Sequence, residues 1–157
     1  MTNSAHPHVL LLNPPAPDWV IRDYYCSFPS KAKYYWPPQD LLGLSGLLAD
    51  SCRLTVLDAV MTPRTRDEIL ALIDQEEIGT VVFTTGSASL AGDMDLARFL
   101  AASRPALRLV ASAGILKFFP ESFMERFPFL HAALLDFTEP EIVDFVAGKE
   151  ADWNTIW

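Results

Sequence analysis

Val9-Leu10-Leu11-Leu12-Asn13-Pro14-Pro15 is the stretch of sequence that decides the fold. Its four aliphatic residues leave no polar face, which is typical of a strand buried on both sides in a parallel sheet. The proline pair ends the strand, because proline cannot donate to a strand ladder. Four more strand patterns follow along the chain, at residues 53–58, 78–83, 107–111 and 130–135.

Helical patterns alternate with these strands. Leucines from Leu41 to Leu48 recur at helical spacing behind Asp40, which we expect to be the N-cap. Thr65 and Glu68 have the spacing of a capping box that opens a second helix. Further helices are predicted at residues 90–100, 120–127 and 139–147, the last of them ended by Gly148.

Five strand–helix cycles in a chain of 157 residues predict an α/β fold with a parallel sheet. Right-handed crossovers place helices on both faces of such a sheet. Among doubly wound folds we expect the flavodoxin-like, Rossmann-type sheet of five parallel strands in the order 2-1-3-4-5. Residues 1–148 form this domain, and residues 149–157 are predicted to be a tail with little core to join, or the start of a linker to an absent domain.

The composition limits the partners. The chain is 50% hydrophobic and 20% charged, which is typical of a globular protein. Its net charge of −8 argues against binding nucleic acid or an anionic membrane surface. Two cysteines are too few for a disulfide framework, a four-cysteine zinc site or a three-cysteine cluster site. With no secretory signal and no apolar run of spanning length, we expect a cytoplasmic protein.

Residues 13–38 are the main irregularity of the sequence. They contain six prolines and seven aromatic residues, which are Trp19, Tyr24, Tyr25, Phe28, Tyr34, Tyr35 and Trp36. Long loops in compact domains are usually functional. We therefore expect this segment to lie over the carboxyl ends of the first and third predicted strands, where open parallel sheets bind ligands.

The turns at these strand ends exclude several familiar sites. The first strand is not followed by Gly-x-Gly-x-x-Gly, and the chain contains no P-loop. A phosphoacceptor receiver would need acidic residues where this chain has Asn13 and Thr84. The third and fourth turns are instead rich in small and hydroxyl residues, which either let a ligand approach the backbone or make tight turns.

Four segments together resemble the opening of the cobalamin-binding domain of B12-dependent radical SAM enzymes. They are the Asn-Pro-Pro turn at residues 13–15, the Tyr-Trp-Pro-Pro of residues 35–38, the leucine-rich helix at 41–48 and the Leu-Thr-Val-Leu-Asp-Ala of residues 54–59. The resemblance covers residues 8–150. It implies a domain that binds cobalamin, a cobalt cofactor, at the strand ends, with the nucleotide tail between the sheet and a helix.

The resemblance also implies which residues bind the cofactor. They lie in four turns at the strand ends: Asn13, Pro14 and Pro15; Thr84, Thr85, Gly86 and Ser87; Ser112, Ala113 and Gly114; and Phe137 and Thr138. Relatives often have a Gly-Gly pair after the fourth strand and a Gly-Glu-Gly-Glu-like turn after the fifth. This chain departs from the family at both places.

The chain lacks the Asp-x-His-x-x-Gly motif that supplies a cobalt ligand in methionine-synthase-like domains. Its histidines, His6, His8 and His131, all lie away from the predicted strand ends. The resemblance therefore implies base-off cobalamin without a histidine ligand. The iron–sulfur cluster and S-adenosylmethionine of the family would belong to an absent downstream domain, so the partner is a radical SAM domain in cis or in trans, serving methyl transfer or rearrangement.

Single residues do not indicate catalysis by this chain alone. Cys26 and Cys52 are expected to be structural, and Asp58 is expected to cap the turn after its strand. Asp136 and Glu139 form a carboxylate pair without a base or nucleophile nearby, so we predict no acid–base site. Two hypotheses remain open from the sequence: a cobalamin-binding module, and a degenerate α/β interaction or sensory domain that has lost its cofactor.

Overall fold

The computed structural model describes residues 6–24, 26–31 and 35–157. Tyr25 and Tyr34, two of the seven aromatic residues expected to cover the strand ends, lie outside the described residues. In chain order, the strands are β1 (His8–Asn13), β2 (Val20–Asp23), β3 (Cys26–Pro29), β4 (Arg53–Asp58), β5 (Thr80–Thr84), β6 (Arg108–Ser112) and β7 (Ala132–Leu134). The helices are α1 (Gln39–Leu48), α2 (Arg66–Gln75), α3 (Leu90–Ser103), α4 (Pro120–Arg126) and α5 (Glu141–Val146).

The main sheet has five parallel strands in the order β4-β1-β5-β6-β7. Without the β2–β3 hairpin, this is the predicted order 2-1-3-4-5, and the predicted flavodoxin-like fold class is confirmed. The register aligns Asn13 with Asp58, and Thr84 with Ser112. The carboxyl ends of four strands therefore form one continuous edge.

Two hydrophobic clusters, one on each side of the sheet, explain why β1 is entirely aliphatic. Val9 and Leu11 pack with the buried leucines of α1 and with Ile142 of α5. Leu10 packs on the other side with residues of α2 and α3. A strand with alternate residues in two cores has no position for a polar side chain, as its sequence predicted.

The capping box of α2 forms as predicted, with Thr65 Oγ1 accepting from the Glu68 amide and the Glu68 carboxylate accepting from Thr65 N–H. Gly148 follows α5 at φ 77°, the conformation expected of a glycine stop. The expectation for Asp40 is wrong: Pro38 is the N-cap of α1, and Asp40 lies buried in its first turn.

The segment after β1 differs from the predicted irregular loop, because Val20–Asp23 and Cys26–Pro29 pair as the antiparallel hairpin of β2 and β3. Val20, Ile21, Tyr24 and Phe28 are strand-forming residues, but the segment lacks the Asn-Gly or Asp-Gly turn that indicates a hairpin in a sequence. The hairpin contacts the carboxyl edge of the sheet at Asn13 and at Gly86 and Gly114.

The carboxyl-terminal segment also differs from expectation, since it does join the core. Ile156 is buried and forms an antiparallel bridge with Leu134 of β7. The Glu141 carboxylate accepts from Asn154 N–H and from both Thr155 N–H and Thr155 Oγ1. These hydrogen bonds lower the pKa of Glu141 to about 2. The segment covers the outer edge of β7, an edge that would otherwise be open to pairing.

Candidate functional site

A buried ion pair attaches the hairpin to the carboxyl edge of the sheet. Arg22 of β2 donates from Nη2 to Asp93 Oδ1 of α3 at 2.7 Å, and from Nε to Asp93 Oδ2 at 3.1 Å. Both side chains are only 1% exposed. Thr85 and Ser89 also donate to the Asp93 carboxylate. Burial raises the pKa of Asp93, and Arg22 with the hydroxyl donors acts in the opposite direction.

The same network continues through Asn13 at the end of β1. Asn13 Oδ1 accepts from Arg22 Nη1 at 2.9 Å and from Thr84 Oγ1 at 3.3 Å, while its Nδ2 donates to Asp58 at 2.9 Å. Tyr35 donates to the other oxygen of Asp58 at 2.8 Å. Polar groups of the β1, β4 and β5 ends are therefore paired with one another and with the segment between β1 and α1.

Asp58 caps its own turn as expected, because Oδ1 accepts from the backbone amide of Val60 at 3.1 Å. Burial, followed by the hydrogen bond to Asp58, raises the pKa of Tyr35 to about 12. The phenol therefore keeps its proton at neutral pH and remains a donor to this carboxylate.

A cavity of about 550 Å³ lies between the hairpin and the turns after β5 and β6. This volume lies within the range of small-molecule sites. The hairpin contributes Asp23, Tyr24, Cys26 and Ser27, and the turns contribute Thr85, Gly86, Ser87, Ala113, Gly114, Ile115, Lys117, Phe118 and Phe119. Phe118 is 77% exposed, so the mouth of the cavity has an apolar rim.

The hairpin touches both glycine turns without a gap. A Cβ atom added at Gly86 would lie 2.2 Å from Ser27 Oγ, and one at Gly114 would lie 1.9 Å from the Tyr24 carbonyl oxygen. At Gly114 the approach is of backbone to backbone, which only glycine permits, whereas at Gly86 the Ser27 side chain makes the contact. Ser27 Oγ also accepts from the Ala88 amide at 3.3 Å.

Tyr24 holds the hairpin against the segment that follows β7. Its hydroxyl donates to the Leu135 carbonyl at 2.7 Å, and its ring meets the Phe137 ring edge-on at 5.3 Å. Lys117 Nζ lies 5.2 Å from the centre of the Tyr24 ring and 2.9 Å from Asp136. Hydrogen bonding with Tyr24, then with Asp136, raises the pKa of Lys117, which stays cationic.

Asp40 is a buried carboxyl group in the first turn of α1. Burial, followed by the negative charge of Asp23, raises the pKa of Asp40 to about 6, although a hydrogen bond from the Tyr24 amide acts in the opposite direction. The protonated form of Asp40 is therefore favoured in the folded chain.

Ser112, at the end of β6, carries the unsatisfied polar group of this edge. Its Oγ is buried and has no hydrogen-bond partner within the described part of the chain. Alternation along β6 places this side chain on the same face as Val110, which packs in the cluster beneath α1 and α5. A buried hydroxyl without a partner is uncommon in a folded protein, so this hydroxyl is a candidate contact for a ligand.

The histidines lie at the other end of the sheet. His8 begins β1, where Nε2 lies 2.9 Å from Thr55 Oγ1. His131 precedes β7 and accepts from the Leu109 amide. No cluster of three or more metal-ligating side chains occurs among residues 6–24, 26–31 and 35–157. Within the same ranges, no helix has the length and apolar character to cross a membrane.

The predicted site residues do not all meet at the cavity. Thr85, Gly86, Ser87, Ala113 and Gly114 line the cavity. Asn13 and Thr84 belong to the polar network, while Phe137 packs on Tyr24 and the exposed Thr138 bonds to Asp136. Pro14 is buried after β1, and Pro15 borders a neighbouring groove with Ser87.

Sequence reasoning missed Arg22 and Asp93, whereas Tyr24 was among the aromatic residues expected at this edge. Asp93 had a detectable signal, because it occupies the apolar stripe of α3 that contains Leu90, Met94 and Ala97. A charge at such a position predicts a buried partner of opposite sign. Arg22 could not be matched to it without knowing that residues 20–29 fold over the sheet.

No family model matches the sequence, and no curated protein matches it. Among solved structures, the cobalamin-dependent S-adenosylmethionine radical enzyme OxsB with aqua-cobalamin bound is similar, with a TM-score of 0.68 and 15% identity. The match covers 96% of this chain and 20% of OxsB. The apo form of OxsB matches with a TM-score of 0.65 and 14% identity over the same shares of the two chains.

A CheY-like protein, TadZ from Pseudomonas aeruginosa PAO1, is also similar, with a TM-score of 0.63 and 16% identity. That match covers 94% of this chain and 98% of TadZ. At sequence identities this low, the structural similarity establishes the shared α/β fold alone. This chain spans about a fifth of the length of OxsB.

Proposed function

We propose that this chain is a cobalamin-binding module that holds the cofactor base-off at the carboxyl edge of the sheet. The observation that carries the proposal is the cavity lined by the turns after β5 and β6. The buried hydroxyl of Ser112, which has no partner among the described residues, lies at the end of β6. Similarity to the cobalamin-dependent enzyme OxsB over 96% of the chain supports the same choice of ligand.

The residues at this edge fit part of a cobalamin. Ser112 offers a buried donor between the sheet and the α1–α5 layer, where the resemblance expects the nucleotide tail. Thr85, Ser87 and Ala113 offer small side chains and a hydroxyl-rich surface for the groups that lie across the strand ends. Phe118 and Phe119 offer an apolar surface at the mouth of the cavity, which would suit the face of a corrin ring.

The chain is proposed to supply no ligand to cobalt. Its three histidines, His6, His8 and His131, lie away from the cavity. Cys26 borders the cavity, but burial, followed by the charges of Asp23 and Asp40, raises the pKa of its thiol and disfavours the thiolate that binds metals.

Cobalamin supplies a cobalt centre for methyl transfer or rearrangement, and this chain supplies binding and orientation. The partner that we propose is a radical SAM domain, in cis or in trans, which would hold the iron–sulfur cluster and S-adenosylmethionine. Ile115, Phe118 and Phe119, which are exposed around the cavity mouth, lie where such a partner would close over the cofactor.

Binding is tested by incubating the chain with hydroxocobalamin and removing free cofactor by gel filtration. We expect visible absorbance to elute with the protein and to show the base-off spectrum. Ser87→Trp fills the cavity from an exposed turn position and should abolish retention. Ala102→Trp, at the exposed far end of α3, is the matched control and should retain the cofactor.

A second candidate is an interaction domain that has lost its cofactor. It is favoured by the hairpin, because Ser27 and the Tyr24 carbonyl fill the space beside Gly86 and Gly114 that a ligand would need. The same gel filtration distinguishes the two: no retained absorbance with the wild-type chain, folded by circular dichroism, would support the interaction domain and refute the cobalamin module.

A further inference from the structure

We propose that Lys117 binds the phosphodiester group of the cobalamin nucleotide tail, in exchange for its present partner, Asp136. The inference rests on the proposed function and names a binding residue of the same site. Its basis is the position of Lys117 in the cavity wall, together with an ion pair in which both side chains remain partly exposed to water.

Lys117 gives one wall of the cavity a positive charge. Among the described residues that line the cavity, the charged side chains are Asp23 on the hairpin and Lys117 on the turn after β6. The chain has a net charge of −8, so an anionic ligand group needs a local positive charge to bind. The phosphodiester is the anionic group of cobalamin, because the other side chains of the corrin end in neutral amides. It is attracted to the wall that carries Lys117 and repelled by the wall that carries Asp23.

The order of residues along the turn after β6 matches the order of the groups in cobalamin. Ser112, at the end of β6, is proposed to contact the nucleotide tail, and Phe118 and Phe119 offer an apolar surface for the corrin. In cobalamin, the phosphodiester joins a side chain of the corrin to the nucleotide. In the sequence, Lys117 lies between Ser112 and the two phenylalanines. A phosphate that links corrin and nucleotide is therefore expected near its ammonium group.

The ion pair of Lys117 can exchange partners at little cost. Lys117 Nζ donates to Asp136 Oδ2 at 2.9 Å, and the two side chains are 44% and 24% exposed. Pairs this accessible to water contribute little to stability. The other oxygen of Asp136 accepts from Thr138 N–H at 3.0 Å and from Thr138 Oγ1 at 2.7 Å. Asp136 therefore keeps hydrogen-bond donors when Lys117 turns to a ligand.

The phosphate contact is tested by comparing two ligands. Hydroxocobalamin contains the phosphodiester and the nucleotide, and aquacobinamide has the same corrin without either. Lys117→Met should weaken hydroxocobalamin binding about tenfold, as the loss of a hydrogen bond to a charged group does, and should leave the Kd of aquacobinamide unchanged. Isothermal titration calorimetry measures both dissociation constants, and circular dichroism checks the fold.

Lys149→Met is the matched control. Lys149 also forms an exposed ion pair with an aspartate, Asp144 at 2.7 Å, but it does not belong to the described lining of the cavity. Its substitution removes the same charge from the chain and should change neither dissociation constant.

Two further variants distinguish phosphate binding from a structural role of the ion pair. Lys117→Arg keeps the positive charge and should retain most of the affinity for hydroxocobalamin. Asp136→Asn removes the competing negative charge and keeps an acceptor for Thr138. It should lower the Kd of hydroxocobalamin about threefold, the equivalent of an exposed ion pair. A structural ion pair would instead give weaker binding when either partner is replaced.

The outcomes separate this inference from the proposed function. If Lys117→Met binds hydroxocobalamin as tightly as the wild-type chain, the phosphate contact is overturned and the cobalamin module stands. Equal weakening of both ligands by Lys117→Met, unchanged or weaker hydroxocobalamin binding by Asp136→Asn, or a wild-type chain that binds aquacobinamide alone would also overturn the contact. If the wild-type chain binds neither ligand, the proposed function fails and the contact fails with it.

Discussion

The two ends of the parallel sheet are built from similar polar residues but differ in how those residues are paired. At the amino end, His8, Thr55 and Glu76 form a closed set, in which Thr55 donates to the Glu76 carboxylate and His8 bonds to both residues. At the carboxyl end, Ser112 has no partner in the described residues, and the two residues that follow it, Ala113 and Gly114, line a cavity. Similar groups are therefore structural at one end and available to a ligand at the other.

The carboxyl end is also the end of the sheet that a separate element, the β2–β3 hairpin, covers. Arg22 brings the hairpin onto the edge through an ion pair that is shielded from water. Substitutions at the amino end should consequently change stability alone, whereas those at the carboxyl end should separate stability from binding. Four predictions test this difference, from the largest effect to the smallest.

Arg22→Ala should cost about 3–5 kcal/mol of unfolding free energy, because Asp93 would keep a buried charge without its partner. Urea denaturation at pH 7 measures the loss. Arg98→Ala removes the exposed pair with Asp95 and should cost less than about 1 kcal/mol. The double variant Arg22→Met/Asp93→Leu should recover most of the stability. Equal losses for Arg22→Ala and Arg98→Ala would show that the buried pair does not hold the hairpin.

Thr55→Val at the amino end should cost about 1–2 kcal/mol, because Glu76 and His8 both lose a hydrogen-bond partner. Hydroxocobalamin affinity should stay within twofold of the wild-type value. Denaturation and absorbance titration give the two quantities. A tenfold loss of affinity in a folded Thr55→Val chain would remove the distinction between the two ends.

Asp40 should give the hairpin a pH dependence. Its pKa is about 6 in the folded chain against an ordinary value of 3.8, so folding favours its protonated form. The stability that this group contributes is fully present below pH 3.8 and is lost as the pH rises through 6. Asp23 and Cys26 are the titratable groups that interact with it.

Asp40→Asn should remove this contribution. Relative to wild type, the variant should gain about 1 kcal/mol of unfolding free energy between pH 4 and pH 7. The two chains differ at this one side chain, so the difference between the two denaturation series reports the contribution of Asp40. If the difference in unfolding free energy between the two chains stays constant with pH, the raised pKa of Asp40 is refuted.

Ser112→Ala should have the smallest effect on stability and the opposite sign. Removing a buried hydroxyl without a partner relieves its desolvation and should stabilise the chain by about 0.5 kcal/mol. The same substitution should weaken hydroxocobalamin binding by about tenfold, since the proposed partner of the hydroxyl is the cofactor. Destabilisation, or unaltered affinity, would mean that Ser112 has no ligand role.

The parts of the fold that follow from local patterns were predictable. The aliphatic run 9–12, the Thr65–Glu68 capping box and the Gly148 stop each contain their own physical reason within a few residues. The hairpin was not predictable in the same way, because its stability comes from Arg22 pairing with Asp93, 71 positions away. Ile156 likewise depends on β7 and on Glu141, neither of which the tail sequence reveals.

The candidate site shows the same difference between local patterns, which were predictable, and long-range contacts, which were not. Small and hydroxyl residues after β5 and β6 were predicted from their position at strand ends, and five of them do line the cavity. Their contact with the hairpin depends on a long-range packing of Ser27 and Tyr24 on two glycines. A glycine in a strand-end turn indicates a close approach, but it does not indicate whether a ligand or the chain itself approaches.

Amide chemical-shift mapping shows residue by residue whether cobalamin binds at the carboxyl edge of the sheet. The ¹⁵N-labelled wild-type chain is titrated with hydroxocobalamin and its amide resonances are followed. We expect the largest shifts at Thr85, Gly86, Ser112 and Gly114, with the resonances of His8 and Thr55 unmoved. Shifts centred on His8 and Thr55, or no shifts at saturating cofactor, would refute binding at this edge.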